Sequence, residues 1–236
     1  AKLKAGDVVA HQYVVEGALA HGGMGWIYLA RDTNVSGRWV VLKGLLNTGD
    51  SDALAATISE QQFLARVEHP LIVEIYNFVT HADAGYIVME YVGGRSLKQL
   101  LKQRLAANGG QPNPLPVDQS LAFLIEILPA FSYLHDLRLI YCDFKPENVI
   151  QVGDALKLID LGGVRHAGDE DSVIYGTVGF QAPEVATQGP SIASDIFTIG
   201  RTLMVLSADV PGYQTTYETS IPAAEEMPLI AAYDSV

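Results

Sequence analysis

Leu139 to Ile150 (LIYCDFKPENVI) holds the densest set of reactive side chains in the sequence. Asp143, Lys145, Glu147 and Asn148 fall within six positions, between apolar runs with β-branched residues that read as strand ends. Pro146 makes the polar insert a tight, ordered loop. Such an Asp can accept a proton from an attacking hydroxyl. A Lys beside it can neutralise charge on a transferring phosphoryl group, and Asn148 can offer an oxygen to a metal. Taken alone, the stretch equally fits a charged surface turn, so its context must decide.

Three further places can do related chemistry. Asp160 closes LKLID and is followed by Leu161-Gly162-Gly163. A carboxylate at a strand end suits a hard divalent cation such as Mg2+, although Asp-x-Gly is also a common turn. Lys43 ends the apolar run WVVLK. It must meet a phosphate, pair with a carboxylate such as Glu60, or snorkel to solvent, because an unpaired buried charge is costly. Ala20 to Ile27 (AHGGMGWI) is a glycine-rich hairpin in which Gly22, Gly23 and Gly25 let backbone N–H groups approach an anion. An ordinary hairpin turn is the alternative there.

The elements that must position these groups follow from periodicity. Tyr13 to Leu42 alternates apolar and polar residues with glycine punctuation, which predicts three antiparallel strands. Ser51 to Val67 has helical spacing and a Ser51 N-cap, and His69-Pro70 ends it. LIVEIYNFVT and GYIVMEYV predict two more strands. After Gly93-Gly94 the character changes: SLKQLLKQRLAA is helical, NGGQPNPLP is a loop, and a long helix runs from about Val117 to His135. Short strands flank the polar loop and LKLID, and a last helix covers Ser194 to Leu206. The expected fold class is α+β, with two lobes. Residues 13–92 would form a small lobe of about five antiparallel strands plus one helix, and residues 93–236 a larger, mainly helical one.

Bulk composition narrows the classes. The chain has 236 residues, 49% of them hydrophobic, enough for a substantial core. Its net charge of −12 argues against nucleic acid or an anionic membrane as the main partner. Cys142 is its single cysteine, so no internal disulfide can form, a Cys-based zinc site is not expected, and a cytoplasmic setting fits. The opening AKLKAGD has no signal-like apolar run behind it. The longest apolar stretch, Leu121 to Leu134, contains Glu126 and Pro129 and reads as a buried helix, not a membrane span.

In order and spacing these pieces resemble the eukaryotic-type serine/threonine protein kinases, and most closely the actinobacterial PknG-type kinases. Ala20 to Ile27 resembles the glycine-rich loop, with Ala20 at the first glycine position. VVLK ending at Lys43 resembles VAIK, and Glu60 falls at the helix-C glutamate. Met89-Glu90-Tyr91-Val92 is similar to the gatekeeper and hinge. YCDFKPEN resembles HRDLKPEN, Asp160-Leu161-Gly162 resembles DFG, and APE stands at Ala182 to Glu184. Asp195 occupies the position of the aspartate that braces the catalytic loop.

The resemblance implies an ATP-dependent serine/threonine kinase with a protein substrate. The alternative is a catalytically weak pseudokinase or nucleotide-binding scaffold. Asp143 would be the catalytic base and Lys145 the γ-phosphoryl partner. Asn148 and Asp160 would hold Mg2+, or Mn2+ in its place. Lys43 would bind the α/β-phosphates and pair with Glu60. Ala20, Gly22, Gly23 and Gly25 would cover the phosphates, while Ile27, Val41, Met89, Glu90, Val92 and Ile150 would surround adenine. Thr177 sits where such kinases place a threonine touching the catalytic Asp and Lys.

The same resemblance implies an FHA-domain metabolic regulator as substrate. It also implies flanking rubredoxin-like and TPR modules, with residues 1–12 as a linker. The late helices of the larger lobe, including the arginine that pairs with Glu184, find no match before Val236. Three departures stand out. Tyr141 and Cys142 replace the His and Arg of HRD, so no arginine is there to grip a phosphate on the activation loop. Val41 replaces the small Ala of VAIK, and Leu161 replaces the Phe of DFG.

Overall fold

A computed structural model of the chain describes residues 2–22, 25–45, 57–58, 61–169, 177 and 179–208. The chain divides into two compact units, Ala1–Val92 and Gly93–Val236.

In the first unit the alternation read from sequence becomes a six-stranded antiparallel sheet in the order β1-β2-β3-β4-β6-β5. The strands are β1 (Val8–Val9), β2 (Tyr13–Gly22), β3 (Gly25–Asp32), β4 (Arg38–Gly44), β5 (Ile75–His81) and β6 (Ala84–Glu90). Five match the predicted strands; the short edge strand β1 is the addition. Period-2 alternation sends Tyr28, Val40, Leu42 and Val88 to a shared apolar cluster on one face. The neighbouring positions face the other way. There Ile27 lies opposite Lys43, and Val41 lies between Leu29 and Met89. The β5–β6 turn places Ala82 (φ +48°) and Asp83 (φ +62°) in the left-handed region, the backbone twist that a two-residue hairpin needs.

The helix predicted over Ser51 to Val67 is described only in part. Thr57 and Ile58 are helical, and Gln62–Arg66 is a 3-10 turn with Leu64 buried. Glu60 lies outside the described residues. The tighter 3-10 winding is a common way for a helical segment to end, ahead of the break at His69-Pro70.

The second unit opens with β7 (Arg95–Ser96) and α1 (Leu97–Ala107). Ser96 and Gln99 cap that helix reciprocally. Gly94, at φ +112°, cannot be replaced, because a Cβ there would lie 2.2 Å from the Gln151 carbonyl oxygen. The long helix α2 (Val117–Asp136) carries Phe123, Leu124, Ile127, Phe131 and Leu134 on its buried side. By length and composition alone α2 could cross a bilayer. Here it is a core helix, and Glu126 accepts a hydrogen bond from the Leu156 amide at 2.8 Å.

Beyond α2 come β8 (Leu139–Ile140), a 3-10 turn (Pro146–Asn148), β9 (Val149–Val152), β10 (Ala155–Leu158) and β11 (Arg165–His166). β10, β9 and β7 form one small sheet, and β11 pairs with β8. The last described elements are α3 (Val185–Gln188) and α4 (Ile192–Ser207), the latter capped by Ser191 and Ser194.

Candidate active site

Asp195, in the first turn of α4, has no solvent exposure. A carboxylate buried this deeply must be met by donors, and three arrive. Its Oδ2 accepts from the Tyr141 amide at 2.9 Å and lies 2.8 Å from His135 Nε2, while Oδ1 accepts from the Cys142 amide at 2.9 Å. Two consecutive amides are thereby fixed just after β8. The price of that geometry appears at Cys142, whose φ of +68° places a non-glycine residue in the left-handed region. The Asp143 amide then bonds back to the Tyr141 carbonyl at 2.9 Å.

The turn delivers Asp143 into a closed set of contacts. Thr177 Oγ1 donates to Asp143 Oδ1 at 2.7 Å, and Lys145 Nζ lies 2.9 Å from Asp143 Oδ2. Lys145 also donates to Thr177 Oγ1 at 2.5 Å. Asn148 holds the turn from below, its Nδ2 donating to the Asp143 carbonyl at 2.8 Å. Glu147 lies 3.8 Å from Lys145 and 3.3 Å from Lys98, adding negative charge on the far side of the lysine.

Asp160 Oδ1 accepts from the Gly162 amide at 2.8 Å. Three residues after Asp160, Gly163 packs so closely that a Cβ would meet Asp143 Cβ at 3.1 Å and the Tyr141 carbonyl oxygen at 3.2 Å. The Asp160 segment therefore lies directly on the Asp143 turn. Asn148 and Asp160 supply amide and carboxylate oxygens, which suits a hard cation such as Mg2+.

Behind the turn, Tyr141 packs edge-on against Phe131 and Phe144, at ring separations of 5.6 and 6.2 Å. Complete burial pushes the pKa of its phenol well above the ordinary tyrosine value, helped by the negative charges of Asp160, Asp143 and Asp195. It stays neutral and acts as a packing residue.

Cys142 behaves alike. Burial, and then the Asp195 charge, push its thiol up to about 12. The folded protein keeps this proton over a range in which the unfolded chain releases it. Stability is thus retained below the ordinary thiol pKa of about 8.5 and declines as pH rises toward 12. Iodoacetamide is expected to label Cys142 at pH 8.5 only after denaturation; labelling of the native protein at the rate of a free thiol would contradict this environment.

The remaining predicted residues lie in the first unit, apart from Ile150. Ala20 pairs with Ile27 and Gly22 with Gly25 in the β2–β3 hairpin, which carries irregular register between Ala18 and Ala20. Lys43 is 9% exposed, and Met89 is buried. Glu90 donates its amide to the Glu74 carbonyl at 2.9 Å, and Val92 follows at the end of the unit. Ile150 is half-buried on β9, opposite Ser96 and Lys157. Gly23 lies outside the described residues, as Glu60 does. The structure thus brings Asp143, Lys145 and Asn148 together with the Asp160 segment. Separately, it lines up Ile27, Val41, Lys43 and Met89 on one face of a sheet.

Sequence reading passed over Arg201. This side chain on α4 is 2% exposed and donates from Nε to the Gly179 carbonyl at 2.6 Å. A lone cation inside the apolar run FTIGRTLMVL was the available signal.

The protein kinase domain family matches residues 13–234. The serine/threonine-protein kinase PknG of Mycobacterium leprae is 50% identical over 99% of this chain, and that of Mycolicibacterium smegmatis is 48% identical over the same share. The chain spans about 30% of the length of each of these two relatives. Among solved structures, the PknI kinase domain of Mycobacterium tuberculosis superposes with a TM-score of 0.75 at 25% identity, covering 100% of this chain and 88% of that one.

Proposed function

The chain belongs to the protein kinase domain family, and from that premise we propose that it transfers the γ-phosphate of ATP to serine or threonine hydroxyls of a protein substrate. The observation that carries this reading is the closed contact among Asp143, Lys145 and Thr177, with Asn148 holding the turn.

Asp143 takes the proton of the acceptor hydroxyl as that oxygen attacks the γ-phosphorus; the bond from the γ-phosphorus to the β,γ-bridging oxygen breaks, and ADP leaves with its electron pair. Lys145 sets its ammonium against the γ-phosphoryl oxygens and offsets the charge that develops there. Thr177, bonded to both, keeps the carboxylate aimed. Lys43 meets the α/β-phosphates, and the hairpin of Ala20, Gly22 and Gly25 covers them. Ile27, Val41, Met89 and Ile150 pack on adenine, with the backbone of Glu90 and Val92 at its edge. Asn148 and Asp160 would hold Mg2+ or Mn2+, which would supply neutralisation of phosphate charge.

Cys142 bears on control. A neutral, buried thiol stands where an arginine would grip a phosphate on the segment ahead of Thr177. Phosphorylation of that segment then loses this anchor, and the catalytic turn is held by Asp195 whether or not phosphate is present. Replacing Ser172 with Ala and Tyr175 with Phe, both outside the described residues, is expected to leave kcat unchanged. A loss of activity that phosphate-mimicking residues restore would overturn this. A cytoplasmic setting and an FHA-domain acceptor belong to the same reading, the first supported by a single cysteine kept as a thiol.

The reading as a whole is tested with γ-labelled ATP and a generic protein acceptor. Label is expected on serine and threonine of the acceptor. Label that stays on bound nucleotide, with no transfer from the full-length protein, would mark a scaffold instead of an enzyme.

A further inference from the structure

Both sides of the Asp143 cluster trace back to one helix. From its first turn, α4 holds the catalytic turn through Asp195. Seven residues on, Thr202 Oγ1 donates to the Phe144 carbonyl at 3.4 Å, touching the same turn again. Between these points Arg201 reaches the other side of the cluster. Its Nε donates to the carbonyl of Gly179, two residues after Thr177.

That segment is itself a tight turn. Phe180 and Gln181 return their amides to the Thr177 carbonyl at 2.9 and 3.3 Å, Gly179 has φ +88°, and Phe180 is buried. A guanidinium is costly to bury unless its donors are met, and here Nε meets a backbone carbonyl. Here it fixes the turn that presents Thr177 to Asp143 and Lys145.

We propose that Arg201 is a positioning residue for the protein acceptor. Its hydrogen bond to Gly179 sets the Thr177 turn at a fixed height over Asp143, where an incoming hydroxyl must lie. The inference rests on the kinase reading above. It places Arg201 on the acceptor side of the reaction and leaves nucleotide binding to other residues.

The test compares Arg201→Met, which keeps side-chain length but donates nothing, with Arg201→Lys, which keeps a donor, in the full-length protein. Dephosphorylated casein serves as acceptor. Losing a hydrogen bond from a charged donor should raise the acceptor KM about tenfold in Arg201→Met, with the KM for ATP unchanged and most of the effect recovered in Arg201→Lys. In parallel, hydrogen exchange at the Phe180 and Gln181 amides should quicken in Arg201→Met, while the β9–β10 amides stay as they are. Equal losses in both KM values without rescue by lysine would overturn the proposal, because they would mark a merely structural residue. Unchanged acceptor KM and unchanged exchange would do so as well. Should Arg201→Met not fold, exchange in Arg201→Lys decides, and wild-type rates at Phe180 and Gln181 would count against the clamp. An unsubstituted protein that transfers no phosphate overturns the kinase reading itself, and the exchange rates still judge the clamp.

Discussion

Asp143→Asn in the full-length protein is expected to lower kcat for phosphate transfer by about 10²- to 10⁴-fold, the range typical of a lost general base. Asparagine fills the same space and can still accept from Thr177 Oγ1, so the turn survives. What it loses is the negative charge that draws the acceptor proton and that pairs with Lys145 at 2.9 Å. Because the nucleotide is held by other side chains in this account, its affinity should change little. A parallel loss of kcat and nucleotide affinity would indicate a binding role instead. Retained activity would remove Asp143 from the chemistry.

Asp195→Ala should have the largest effect on stability. The carboxylate has no solvent exposure and satisfies two backbone amides and His135. Alanine leaves two buried amides and the half-buried His135 ring without their acceptor, each buried donor costing about 1–3 kcal/mol, and some of that loss is recovered by relaxation. A net loss of about 3–5 kcal/mol follows, comparable to breaking a buried ion pair. At this chain length it corresponds to a fall in Tm of roughly 10 °C or more. The left-handed Cys142 is also released, so the Asp143 turn loses its shape and activity falls with stability. Denaturant titration checks the first effect. A change below about 1 kcal/mol, within the range of an ordinary surface substitution, would mean that the turn is held by something other than Asp195.

These two residues also mark what could be read in advance. Asp143, Lys145 and Asn148 were visible because acid, base and amide side chains crowded into six positions between apolar runs are rare and chemically suggestive. The sheet was legible from alternation, which set Val40 and Leu42 on one face and Val41 and Lys43 on the other. Edge strand β1 was not, since two residues carry no period. The 3-10 winding at Gln62–Arg66 escaped too, because helical spacing of apolar residues does not distinguish an i→i+3 from an i→i+4 ladder over five residues. Nothing local at Cys142 announces a positive φ; the conformation is imposed by Asp195, more than fifty positions away. Arg201 was hidden for the same reason, its partner being a backbone carbonyl 22 residues upstream. Chemistry-bearing clusters are local and so can be read from sequence. The groups that brace them act across the fold.

The most direct measurement is a crystal structure of the full-length protein with Mg2+ and a non-hydrolysable ATP analogue. The account predicts γ-phosphoryl oxygens within about 3 Å of Lys145 Nζ, with the Asp143 carboxylate beside the space an attacking hydroxyl would occupy and the metal on the oxygens of Asn148 and Asp160. A nucleotide bound with its phosphates away from Lys145, and Asp143 still engaged only by Thr177 and Lys145, would contradict it.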